Sequence, residues 1–288
     1  MATLNEIKEQ IIVVRSVGEF TNALQQIATI HMVKLRDRVL ASRPFVQLAN
    51  EMLTELSGIR NGMQTQALLA MEKSHPKEAK QAAGQTAVIV ITSNQGLTGR
   101  YNIEIFQKLE KVFADHPDSD YYVIGKKGQE YFQGAKVKVR SFPYEVTENF
   151  HVEDQHRLIT LFDYYSQITL VYSRYLNSAK RDVVAVSVVN PSEDELELKE
   201  HPESGRYTFE PDIFTLIEGI SKKLRAALFQ QQLFDARLAQ NSSQMIGMKT
   251  ASDNATELLG DLRLEYNKQR RKMIDKKIGE VFAGSALW

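Results

Sequence analysis

The placement of proline constrains this chain more than any other feature of its sequence. All seven prolines lie between Pro44 and Pro211, and none lies in residues 1–43 or after Pro211. A proline inside a helix costs roughly 3 kcal/mol because it removes a hydrogen bond and clashes with the preceding turn. The two ends of the chain can therefore be helical over long distances, whereas the middle cannot.

Both ends carry the apolar spacing of long amphipathic helices. In residues 1–58 the pair Thr3 and Glu6 matches a capping box, and apolar residues follow at steps of three and four. Residues 211–288 show a near-heptad stripe, although the Ser- and Asn-rich stretch around Asn241 would allow an interruption. A helix from Pro211 to Ala283 would be about 110 Å long, well beyond the diameter of a compact domain. This length favours an antiparallel coiled coil between the chain's ends over a pair of bundle helices.

The predicted core of this coiled coil is a set of apolar residues that share one face of each helix. It comprises Ile7, Ile11, Val14, Leu24 and Ile27 in the first helix, and Ala255, Leu259, Leu262 and Tyr266 in the last. The first stripe also includes Val17, Phe20 and Ile30.

The middle of the chain, residues 59–210, has a different pattern. Short β-branched runs begin at Thr86, Tyr121, Lys136, Gln167 and Arg181, and helical stretches separate several of them. This alternation predicts a small, mostly parallel sheet with helices on its faces. The predicted fold class is thus α/β: a long antiparallel coiled coil of the terminal helices plus a small sheet domain.

Catalytic and metal-binding patterns are weak throughout the chain. The stretch ITSNQGLTGRYN, residues 91–102, is a strand, turn and helix of the kind that binds phosphate, yet Gly96 and Gly99 fit neither common phosphate-binding motif. His151 and His156 lack zinc-binding spacing, and there are no cysteines, so no metal site or cofactor is predicted. A nucleotide-binding α/β enzyme with helical extensions remains an alternative.

The overall composition argues against several other classes of protein. The formal net charge is zero, which argues against a nucleic-acid-binding protein. No apolar run approaches the length of a membrane span, and the first residues are too charged for a signal peptide. The absence of cysteine fits a reducing compartment such as the cytoplasm.

The end of the chain indicates a protein partner. Basic residues crowd the last predicted helix over four turns, farther than a helix dipole reaches, so an acidic partner is expected. The finish VFAGSALW, from Val281, is apolar and needs a cover of its own. The basic residues, termed the collar, are Arg263, Lys268, Arg270, Arg271, Lys272, Lys276 and Lys277, opposed by Glu265 and Asp275.

Several motifs, in order along nearly the whole chain, resemble those of one family. They are LNEIKEQI from Leu4, ASRPF from Ala41, TSNQGLTGRYN from Thr92, YTFEPD from Tyr207, MKTASDNATELLGDLRLEYNKQRR from Met248 and EVFAGSALW from Glu280. Together they resemble the gamma subunit of F-type ATP synthases, the central rotor shaft. The chain departs from the family pattern at Arg271 and Asp275, where Gln and Thr are usual, and at Asn94, Gln95 and Thr98 in the middle turn.

The resemblance implies a subunit without catalytic residues that transmits torque. The coiled coil would turn inside a ring of three alpha and three beta subunits, while the sheet part would touch the epsilon subunit and the membrane c-ring. The protein would lie peripherally at the cytoplasmic face of the cell membrane and meet the membrane only indirectly. A gamma-like shaft of a paralogous, hydrolysis-driven rotary ATPase is the alternative within this class. The residues expected to contact the catalytic ring are Leu24, Asn254, Lys268, Gln269, Arg270, Arg271, Asp275, Val281, Phe282 and Leu287.

Overall fold

The computed structural model supplies two long helices and a five-stranded sheet. It describes residues 3–62, 86–115, 117–133, 139–142, 160–162, 164–165, 167–178, 180–188, 210 and 212–285. The helices are α1 (Leu4–Gly62), α2 (Tyr101–Asp115), α3 (Lys126–Phe132) and α4 (Ile213–Ser285). The strands are β1 (Thr86–Ile91), β2 (Asp120–Ile124), β3 (Val139–Ser141), β4 (Gln167–Tyr175) and β5 (Arg181–Ser187).

Side-chain caps define where both long helices begin. At α1 the backbone N–H of Thr3 donates to Glu6 Oε2 at 2.8 Å and that of Glu6 donates to Thr3 Oγ1 at 3.3 Å, which is the predicted capping box. At α4, Asp212 Oδ1 accepts from the N–H groups of Phe214 and Thr215, both at 2.9 Å. Each cap satisfies donors that a helix start otherwise leaves unpaired.

Both helices run without a break. α1 has 59 residues and contains Pro44, and α4 has 73 residues. The interruption that the residues around Asn241 would allow does not occur, because α4 continues through them. The hydroxyls of Ser242 and Ser243 donate to other elements of the fold, so they do not compete for the hydrogen bonds of their own helix.

The sheet has the order β3-β2-β1-β4-β5. The first four strands are parallel, and β5 pairs antiparallel with β4. The prediction of a mostly parallel sheet is therefore confirmed. Alternate residues of β1 serve the two faces: Ile89 and Ile91 pack in a core with Phe229 of α4, and Val88 and Val90 pack in a core that includes helix α2. Because both faces are covered, β1 is buried along nearly its whole length.

α1 and α4 pack against each other antiparallel. A Cβ atom placed on Gly18 would lie 3.4 Å from Ala255 Cβ. Farther along α1, Leu35 and Val39 share a cluster with Phe234 and Leu238 of α4. Nearer the end of α1, Ala49 and Leu53 cluster with Leu224. Residues later in α1 therefore contact residues earlier in α4, as in an antiparallel pair. The same register sets Ile11 against Leu262 and Ile7 against Tyr266.

The contact line of α1, here called the seam, differs from the predicted stripe after Val14. It continues at alternating steps of four and three through Gly18, Thr21 and Ala28, of which Thr21 and Ala28 are 7% and 2% exposed. Ile27 was predicted in the core, and this was wrong because its side chain is 51% exposed. Small side chains line the seam here because the two backbones approach closely at Gly18. The larger apolar residues of this stretch lie on a neighbouring face and are exposed: Val17, Phe20, Ile27 and Ile30.

Candidate partner-binding surface

The end of α4 projects beyond its partner helix. The register that sets Gly18 against Ala255 sets the first residue of α1, Leu4, against Gln269. From Arg270 to Ala283 every residue of α4 is exposed. The stretch from Arg270 to Ser285 is therefore about 24 Å of single helix. We call residues 270–285 the tip.

Charge at the base of the tip is strongly positive. All seven basic residues of the collar are exposed, and so are Glu265 and Asp275, the only acidic residues within it. Lys276 Nζ lies 3.8 Å from Glu280 Oε1, with side chains 79% and 65% exposed. An exposed pair of this kind contributes little stability. The collar is thus a basic surface suited to an acidic partner.

An apolar stripe follows along the tip. Ile274 and Ile278 are 47% and 48% exposed, and Val281 and Phe282 are 71% and 70% exposed. Their spacing of four, three and one residues puts them on one helix face. Continuing the seam at steps of four and three beyond Gln269 would instead pass through Met273 and Lys276, roughly 150° around the helix from the stripe. The stripe is therefore a separate apolar surface, of the kind that a partner protein covers.

The residues expected to contact the catalytic ring do not form one cluster. Lys268, Arg270, Arg271, Asp275, Val281 and Phe282 are exposed on the collar and tip, with Gln269 partly buried at the end of the seam. Asn254 is exposed about 42 Å along the helix axis from Phe282. Leu24 is partly buried and lines a cleft beside the sheet. Leu287 lies outside the described residues.

The cleft that includes Leu24 is a second surface with positive character. It has a volume of about 910 Å³ and lies between α1, α4 and the loops that follow β1 and β2. Its described lining includes His31, Lys126 and Arg237 and no carboxylate side chain. The cleft is therefore also suited to an acidic group.

The glycine-containing turn after β1 is packed against α4. Thr98 is 3% exposed, and its carbonyl accepts a hydrogen bond from Ser243 Oγ at 2.6 Å. Gly99 has a φ of 56°, a left-handed conformation that glycine adopts without strain, and it lies against Ser243. Thr98 and Gly99 of this turn are thus in contact with α4. Sequence reasoning missed Ser243 as a contact residue, because it lies in a Ser- and Asn-rich stretch that resembles a helix interruption.

Four buried tyrosines have raised pKa values, and Tyr101 and Tyr172 among them belong to the packing around the sheet. Burial raises the pKa of Tyr172 to about 12. Burial also raises the pKa of Tyr101 well above its usual value, and the Tyr101 hydroxyl donates to the Ala236 carbonyl at 3.2 Å. Neither residue lies on the collar or the tip, so these shifts reflect structure.

Metal binding and membrane insertion find no support in the part of the chain that the structure describes. No group of three or more His, Asp or Glu side chains there could hold a metal ion. None of the described helices combines the length and apolarity that crossing a membrane requires.

Comparison with known proteins decides the family. The family model described as ATP synthase matches residues 3–287. The chain belongs to the ATP synthase family. Its relatives include the ATP synthase gamma chains of Psychrobacter arcticus and Methylibium petroleiphilum, each 29% identical over 99% of this chain and 99% of the relative. The resemblance to gamma subunits inferred from the motifs is therefore confirmed.

Solved structures support the same fold. A chain of the Euglena gracilis mitochondrial ATP synthase, described as OSCP/F1/c-ring, matches with a TM-score of 0.64 and 15% identity over 98% of this chain and 93% of its own. A chain of the Tetrahymena thermophila mitochondrial ATP synthase, described as central stalk/c-ring, matches with a TM-score of 0.53 and 17% identity over 81% of this chain and 99% of its own. The predicted fold class, a long antiparallel coiled coil with a small α/β sheet, is confirmed.

Proposed function

We propose that this chain is the central-stalk rotor subunit of an F-type ATP synthase. It transmits torque between the ion-driven ring in the membrane and the catalytic alpha/beta hexamer. The observation that carries the proposal is end-to-end similarity to gamma chains in a protein whose last helix projects with an exposed apolar stripe and a basic collar. A shaft needs length, stiffness and a surface for its bearing, and these two helices supply all three.

The two ends of the molecule have different partners in this proposal. The tip and collar contact the alpha and beta subunits, with the apolar stripe in an apolar sleeve and the basic residues near acidic loops. Leu24, Asn254 and Leu287 contribute to the same interface, and the cleft beside Leu24 offers acidic loops a second basic surface. The sheet unit contacts the epsilon subunit and the c-ring. No nucleic acid is involved.

Different segments of the chain supply the shaft and the sheet unit. The coiled coil is built from α1 (Leu4–Gly62) and α4 (Ile213–Ser285), so α1 extends four residues past the predicted boundary at residue 58, and the strands β1 to β5 belong to the sheet unit. The chain itself is a non-catalytic subunit of the complex, because its role needs shape and packing and no reacting group. It lies peripherally at the cytoplasmic face of the cell membrane.

The nucleotide-binding alternative is weakened by the contacts of its best candidate element. Both the Thr98 carbonyl and the buried face of the turn are engaged by Ser243 of α4. Two backbone N–H groups of this element are also occupied, since that of Ser93 donates to Asn102 Oδ1 at 3.1 Å and that of Tyr101 donates to the Thr98 carbonyl at 3.2 Å. The alternative of a paralogous, hydrolysis-driven ATPase also predicts a shaft and differs only in the companion subunits.

Native mass spectrometry of the tagged chain, purified in mild detergent from its own cells, tests the proposal. We expect three alpha and three beta subunits per copy, together with epsilon and a membrane ring. The same hexamer with unfamiliar additional subunits would favour the paralogous ATPase. A stable chain without partners, with its C-terminus intact, would refute the proposal, and nucleotide turnover by that lone chain would support the enzyme alternative.

A further inference from the structure

Two adjacent serines of α4 bond to two different loops of the sheet unit. Ser243 Oγ donates to the Thr98 carbonyl at 2.6 Å, and Ser242 Oγ donates to the Ser178 carbonyl at 2.7 Å. Both serines are 5% exposed. A buried hydroxyl needs a partner, so these bonds fix where the sheet unit lies on the helix.

Both loops lie at the same edge of the sheet. Thr98 follows β1 and Ser178 follows β4, and these two strands are parallel neighbours. The chain leaves β1 for β2 on one side, while β4 lies on the other, so this edge is the point where the strand order reverses. In open α/β sheets that point is the usual place for a ligand. Here α4 occupies it; the two serine hydroxyls bond to the loops, and the Tyr101 hydroxyl bonds to the Ala236 carbonyl one helical turn or more away.

The two loops are internally braced, so they can resist displacement. In the first loop Asn102 accepts from the Ser93 N–H at 3.1 Å and donates to Ser93 Oγ at 2.8 Å. Leu97 in the same turn has a φ of 63°, a strained conformation for a residue with a side chain. In the second loop the Lys180 N–H donates to Asn177 Oδ1 at 2.8 Å. Packing that holds a strained turn in place indicates that its position matters.

We propose that Ser242 and Ser243 act as a lock that prevents the sheet unit from sliding along α4 or turning about it. Most of the surrounding contact is apolar, with Phe229, Leu233 and Ala236 in the core beneath the sheet. Apolar burial opposes separation but has no preferred direction, whereas hydrogen bonds depend on distance and angle. The inference rests on the proposed function, because torque received by the sheet unit must cross this contact to reach the shaft.

The test uses the assembled complex with Ser242→Ala, Ser243→Ala and the double variant. Hydrogen exchange at residues 94–100 should accelerate about fivefold without the Ser243 hydroxyl, since one hydrogen bond is lost, and residues 176–178 should respond in the same way to Ser242→Ala. Inverted membrane vesicles then report ions moved per ATP hydrolysed. We expect this ratio to fall in the double variant while ATP hydrolysis continues.

The matched control is Thr256→Ala, which removes an exposed hydroxyl bonded only within α4, to the Ser252 carbonyl at 2.9 Å. It should change neither the exchange of the two loops nor the coupling ratio. Faster exchange with an unchanged ratio in the double variant would overturn the lock and leave the serines a purely structural role. Should the double variant fail to assemble, the same comparison in the two single variants decides the question. Failure of the unmodified chain to join the hexamer is a different result, which refutes the proposed function.

Discussion

Leu262 offers the sharpest test of the coiled-coil seam, because α4 carries a control residue two positions away. Leu262 is 8% exposed and faces Ile11 across the seam, whereas Leu264 is 71% exposed on the same helix. The two residues share chemistry and helix propensity. Any difference between their substitutions therefore measures the contact with α1.

The expected cost follows from burial. Replacing a buried leucine by alanine loses its transfer free energy and leaves a cavity, and about 2 kcal/mol, at the low end of the usual range, suits a seam with solvent on both sides. A loss of about 2 kcal/mol raises the population of the locally opened state about 30-fold. Leu264→Ala should stay within about 0.5 kcal/mol of the unmodified chain. Leu262→Asp should cost more than Leu262→Ala, because an unpaired carboxylate would be placed in the seam.

Hydrogen exchange on the full chain measures this local opening directly. Amides in residues 4–18 and 255–269 should exchange about 30-fold faster in Leu262→Ala, while those of β1 stay unchanged. Equal acceleration by Leu264→Ala would refute the reasoning, since it would mean that seam burial does not hold these helices together.

Three further predictions concern packing, the tip and pH. Gly128→Ala should destabilise the sheet unit by about 2 kcal/mol in thermal unfolding, because its Cβ would contact Val123 and lie 2.6 Å from Thr92 Oγ1. Replacing Val281 and Phe282 by serine should leave the melting temperature of the free chain unchanged, since both are at least 70% exposed, yet weaken binding to the hexamer in a pull-down. Stability should fall as the pH rises above 10, because unfolded tyrosine ionises near 10.0 whereas burial raises the pKa of Tyr172 to about 12 and also raises that of Tyr101; denaturant unfolding at each pH measures this.

Each of these has a matched control and a contrary outcome. Gly219→Ala, at a helical position with open space, should stabilise by about 1 kcal/mol, and equal effects of the two glycine variants would contradict the packing argument. Leu176→Ser, exposed on the sheet unit, should leave hexamer binding intact, and a loss equal to that of the tip variant would argue against a specific bearing. Tyr172→Phe should make the alkaline decline shallower without abolishing it, because burial also raises the pKa of Tyr101; an unchanged decline would mean that Tyr172 contributes nothing to it.

The α4 half of the coiled coil was predictable from sequence, and much of the α1 half was not. Ala255 and Leu262 belong to a series of residues at steps of four and three, and most of their neighbours in sequence are polar. The buried face of this helix can therefore be identified from the sequence. On α1 two stripes lie side by side, and hydrophobicity alone selects the larger residues, such as Phe20 and Ile27. Strict alternation of four and three from Ile7, Ile11 and Val14 leads instead to Gly18 and the true seam.

The candidate partner-binding surface was also predictable only in part. The collar and tip could be predicted because they are continuous in sequence and need no knowledge of the fold. The serine contacts could not be predicted, because Ser243 and Thr98 are 145 residues apart and no local sequence pattern indicates that they meet. A polar residue whose partner is distant in sequence looks like a helix breaker until the topology is known.

The pairing of the first helix with the last has a consequence for synthesis. α1 leaves the ribosome early, but the α4 residues that cover its seam, up to Tyr266, are made roughly 200 residues later, about 10–40 s at usual elongation rates. During that time Ile7, Leu35 and Leu53, all fully buried in the finished protein, have no native cover. The seam can close only after the covering residues of α4 have been made, so the apolar seam of the nascent α1 stays exposed for most of the synthesis of the residues between the two helices.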